Sequence, residues 1–172
     1  MTMLTDPRDR LPRRWGRSRE RSVAGLSLIC VGVAATSLSS TYSLWFLAIG
    51  PVMQAAGWLL LPGALWRRLL VLIPCLLAGV ILLGGVDFVG AFAVLLGGWL
   101  VVRHRPAATY LVVLLPIAAS FVIKVTLQHY GQNPLALFIG TLATVAGAWL
   151  AAWLHGRLIE RRGVVFVPLK SG

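Results

Sequence analysis

A chain of 172 residues is the length of one ordinary domain, yet 58% of it is hydrophobic, only 12% is charged, and its mean hydropathy is +0.84. Exposed apolar patches beyond roughly a few hundred Å² drive association, so this composition excludes a water-soluble globular domain and makes lipid the expected solvent. The formal net charge of +11 does not point to nucleic acid, because it lies beside apolar stretches and not on a basic folded domain.

Fifteen of the sixteen basic residues fall into four groups: Arg8–Arg21, Arg67–Arg68, Arg103–Arg105 and Arg157–Lys170. The intervening stretches of 45, 34 and 51 residues hold only Asp87 and Lys124 as charged side chains. Basic residues in short loops stay on the cytoplasmic side while apolar helices cross. Fourteen arginines against two lysines suit a GC-rich bacterial genome, and a bacterial cytoplasmic membrane is the expected location.

Residues 1–21, with Pro7, Pro12, seven arginines and three acids, cannot bury a core and read as a disordered cytoplasmic arm. Its arginines would attract anionic headgroups, at about 1 kcal/mol each near the surface. The first span runs from Val23 to about Ser39. Its arginine flank and Val33-Ala34-Ala35 resemble a cleavable signal, but the apolar run is longer than a signal core and no soluble domain follows, so it reads as a retained helix. The polar Ser39–Tyr42 is the outer break. The second span, Leu44–Leu61, ends at Pro62-Gly63, Trp66 and Arg67-Arg68.

The 34 residues Leu69–Val102 would be about 51 Å long as one helix, against a hydrocarbon core of about 30 Å. Gly84-Gly85 permits a reversal and Asp87 suits an N-cap, so the stretch divides into Leu69–Leu83 and Val86–Val102. Pro106 opens a fifth span that reaches about Leu127, and Gln128–Asn133 forms an outer loop. Asn133-Pro134 reads as cap and first turn of the sixth span, Pro134–Leu154. The expected fold is an all-α bundle of six transmembrane helices over residues 22–156, both termini cytoplasmic, with a basic tail at 157–172. Trp45 falls at the outer interface and Trp66, Trp99 and Trp153 at the inner one. Trp58 and Trp149 lie deeper, as packing residues.

Lys124 is the basic residue outside the pattern, and an ionisable side chain at membrane depth often marks a site. Ser120, Lys124 and Gln128 share one helical face with His129 close by, so the stripe reads either as the wall of an outward cavity for a polar or anionic solute, or as a lysine snorkelling to the headgroups. Asp87 is its natural partner on the same side. Gln54, three residues after Pro51, has an amide able to bond a freed backbone carbonyl or a ligand, interhelical glue being the simpler role. Pro51 and Pro116 interrupt corresponding helices of two three-helix halves, a pattern of inverted-repeat transporters, but Pro74 has no counterpart in the sixth span.

Gly25 and Gly32, Gly90, Gly97 and Gly98, and Gly140, Thr144, Gly147 and Ala151 place small residues on shared helix faces, a packing signal. Cys30 and Cys75 have no metal-ligand spacing and read as buried hydrophobes. There is no HExxH, GxSxG or P-loop, and no nucleophile with a base or metal at either interface. The expectation is therefore a protein without cofactor, metal or catalysis, acting as a membrane component of a transport or envelope complex, with a membrane partner or second copy packed against it. The alternatives are a small-solute carrier or binding subunit using Lys124, Ser120, Gln128 and Gln54, and an intramembrane enzyme should His129, Lys124 and Asp87 converge.

Overall fold

The computed structural model describes residues 18–39, 42–104, 106–127 and 130–161, and over these it is all-helical without a strand. The arm before Ser18 and the tail after Arg161 lie outside the described residues. Helix α1 spans Ser18–Ser37, starting ahead of the expected Val23. Arg19 and Arg21 are straight-chain helix formers, and Glu20 in the first turn suits the positive end of the helix dipole.

Helix α2 covers Trp45–Leu60 and carries Pro51. It stops at Leu61, whose backbone is extended ahead of Pro62 (ψ 138°). Helix α3, Leu65–Ile81, begins earlier than expected, so Arg67 and Arg68 lie in its first turn and not in a loop. Arg68 explains the tight connection: its guanidinium donates to the carbonyls of Leu59 and Gly63 (Nη2–O 2.7 Å), capping the end of α2. Leu82–Ala91 winds as 3-10 helix and leads into α4, Phe92–Val102.

After Pro106, Ala107–Val113 is again 3-10 and continues as α5, Leu114–Thr126. Pro116 cannot donate to the Val112 carbonyl, and tighter winding ahead of it is a common adjustment to such a loss. The short 3-10 turn Tyr130–Gln132 precedes α6, Asn133–Arg161. With 29 residues, α6 is about 43 Å long and passes through the expected end at Leu154, because His155 to Arg161 holds only one glycine and no proline to stop it.

Among the described residues, three apolar helical stretches are long enough to cross a bilayer: Leu65–Val102, Ala107–Thr126 and Asn133–Arg157. Helix α2 is apolar but shorter. The first stretch is not one straight rod. Gly85 has φ 80° and ψ −145°, a region open essentially to glycine alone, and the chain folds back there. Cys75 Sγ then reaches the Val94 carbonyl at 3.7 Å, and Gly98 lies against Val71 and Cys75.

Contacts elsewhere continue the alternation. Gly32 meets Gly50 and Gln54, and Gly25 meets Gly57, so α1 and α2 run antiparallel. Helix α5 lies antiparallel to the 3-10 stretch, Ser120 at Gly90 and Lys124 at Asp87. Helix α6 runs alongside α4 in the same direction, Gly140 on Val89 and Phe92, Gly147 on Leu96. Gly98 lies against Trp58 and Gly63 against Val102, so α2 runs with α4 and against α3, and each helix points opposite to its predecessor. The core between them holds Trp58, Val71, Cys75, Leu82, Val89, Leu96, Leu100 and Ile123. Trp149 is not part of it: its side chain is 72% exposed on the outer face of α6.

Candidate functional site

The 3-10 stretch after Gly85 and the last turn of α5 bring the isolated charges together. Lys124 Nζ stands 3.2 Å from Asp87 Oδ1, and the two side chains remain 61% and 65% exposed. Asp87 does not cap α4, whose cap position is Ala91; its carboxylate instead meets the lysine. Asn133, expected only as a helix cap, packs its amide against Gly85, where an added Cβ would lie 3.0 Å from both amide heteroatoms. Reversal, ion pair and the start of α6 thus converge at one end of the molecule.

Ser120 lies one turn below Lys124, beside Gly90, but its hydroxyl donates to the Ile117 carbonyl of its own helix at 2.7 Å. Gln128 and His129 lie outside the described residues. Gln54 is elsewhere, fully buried between α1 and α3. Its Nε2 donates to the Cys75 carbonyl at 2.7 Å, not to the carbonyl freed by Pro51. Oε1 lies against Gly79 and finds no partner, and neither does the indole N–H of Trp58 one turn further on.

A groove of about 460 Å³ opens beside Asp87, in the crevice between α3 and the returning arm. Its lining includes Pro74, Ala78, Phe88, Gly90 and Ala91, and Asp87 is its charged residue. Leu77, Ile81 and Val94 complete its apolar lining. The groove is apolar and open to the side.

The opposite end gathers arginines on indoles. Arg67, Arg103 and Arg157 lie over Trp66, Trp99 and Trp153 at 5.1, 4.9 and 4.7 Å from the ring centroids. These cation–π pairs were not foreseen as pairs, though the i, i+4 spacing of Trp99–Arg103 and Trp153–Arg157 is a readable signal. Among the described residues, no group of three or more His, Cys, Asp or Glu side chains stands together to hold a metal. Compared with protein families, curated proteins and solved structures, the chain matches none.

Proposed function

We propose that the chain crosses a bacterial cytoplasmic membrane six times, with both termini inside, and serves as a non-catalytic membrane component of a multi-protein transport or envelope complex. The alternation of helix directions and the three arginine–tryptophan pairs at one end support this placement, since arginine and tryptophan belong at the inner interface. Helix α6 then leaves the hydrocarbon near Trp153 and carries Arg157 into the headgroups.

The observation that carries the functional reading is that Lys124, Asp87, Gln54 and Ser120 each make a polar contact within the protein itself. Lys124 and Asp87 neutralise each other, Gln54 ties α2 to α3, and Ser120 bonds its own helix. The groove beside Asp87 is lined mostly by apolar side chains, whereas a polar-solute site gathers several converging polar groups. What remains is helix surface: Phe121, Val122 and Val125 on α5 and Trp149 on α6 are all exposed, suited to lipid or to another membrane helix.

Purification in mild detergent is expected to recover a stoichiometric membrane partner, lost when Val122 or Trp149 is replaced by a bulky polar residue. A monodisperse lone monomer from native membranes would overturn the reading. Unchanged partner recovery with uptake lost in Lys124→Leu would favour the carrier alternative instead.

A further inference from the structure

The ion pair and the apolar groove adjoin each other through one residue, Asp87, which meets Lys124 at 3.2 Å and lines the groove. Both charged side chains are more exposed than buried, so each keeps hydrogen-bonding capacity beyond the other: the ammonium has three donors and the carboxylate about four acceptor positions. A lipid headgroup that carries both an ammonium and a phosphate can take these up. From Asp87 the groove descends along α3 from Ile81 to Pro74, seven residues and so about 10 Å of apolar channel. It is open along one side, so an acyl chain can enter it from the bilayer.

We propose that this is a binding site for one zwitterionic phospholipid of the outer leaflet, with its ammonium headgroup on Asp87, its phosphate on Lys124, and an acyl chain in the groove over Ala78, Gly90 and Ala91. The charge arrangement selects the occupant. A headgroup carrying only negative charge meets the Asp87 carboxylate, and a purely cationic amphiphile meets the Lys124 ammonium. A headgroup with both signs complements the pair and leaves the site neutral. The site rests on the bilayer placement proposed above, but not on the existence of a protein partner.

The test reconstitutes the full chain in vesicles of phosphatidylethanolamine and phosphatidylglycerol in equal parts, extracts it into mild detergent, washes it, and reads retained lipid by native mass spectrometry. The expected result is one phosphatidylethanolamine retained about tenfold over phosphatidylglycerol, the ratio one charge-assisted hydrogen bond carries. Asp87→Asn should abolish that preference, and Ala91→Leu, which fills the groove, should lower retention of both lipids while an unchanged thermal unfolding profile shows the fold intact. Equal retention of both lipids by the parent chain, preferential retention of phosphatidylglycerol, or an undiminished preference in Asp87→Asn overturns the proposal. A chain that fails to enter the vesicles at all sinks the bilayer placement instead, so the two failures are distinguishable.

Discussion

Gln54 illustrates what one polar side chain does in an apolar core. It contributes a single hydrogen bond, from Nε2 to the Cys75 carbonyl, and keeps Oε1 buried without a partner. Interhelical bonds of this kind are worth about 0.6–2 kcal/mol, and a buried orphan acceptor offsets part of that. Gln54→Leu is therefore expected to lower stability by no more than about 1 kcal/mol. Gln54→Ala, which leaves a void at a fully buried position, should cost about 2 kcal/mol or more. Unfolding by denaturing detergent titration reads both; equal losses would mean that the hydrogen bond, and not the volume, holds α2 to α3. That Gln54 sits at an interface was readable from its place in an apolar helix. Its partner was not, because the Cys75 carbonyl belongs to a helix that only packing brings alongside.

At the scale of elements, glycine decides how close helices come. An added Cβ at Gly32 would lie 2.6 Å from the backbone of Gly50 and Gln54, so α1 and α2 touch backbone to backbone. Gly32→Ala should cost about 1–3 kcal/mol. Gly97, with nothing within 4 Å of an added Cβ, should tolerate alanine and gain up to about 1 kcal/mol from helix propensity. Opposite shifts in melting temperature are the expected readout. Sequence spacing marked both glycines as small-residue positions and did not distinguish them, because which face of α4 meets a neighbour depends on the hairpin around it. Gly85→Ala, with φ 80° at that position, should cost about 1–3 kcal/mol and loosen the Lys124–Asp87 contact, measured as the same melting shift together with lysine reactivity toward an acylating reagent. The reversal itself was legible, since a helix of that length overshoots the bilayer and glycine marks the break. The 3-10 winding that follows it, and the loss of Asp87 as a helix cap, were not. Both follow from how the returning arm settles against α5.

For the whole molecule, the proposed topology predicts which turns face outward. In a Cys30→Ala, Cys75→Ala background, single cysteines at Ser39 and Gly131 are expected to react with a membrane-impermeant maleimide added to intact cells, and one at Ala64 only after lysis. Labelling of Ala64→Cys from outside would break the inside placement of the basic clusters. The sequence by itself determined that the chain is helical, apolar and segmented, because charge is too costly in hydrocarbon to be scattered and polar, glycine and proline residues mark the breaks between apolar runs. Tertiary structure decided how closely Lys124 meets Asp87, that Ser120 turns back on its own helix, that arginines stack on indoles at the far end, and that an apolar groove opens beside the Lys124–Asp87 pair. The first and last of these depend on distances between segments far apart in the chain, set by glycine contacts and the reversal at Gly85, whereas the Ser120 bond and the arginine–tryptophan pairs join residues one to four apart, a spacing the sequence already carries.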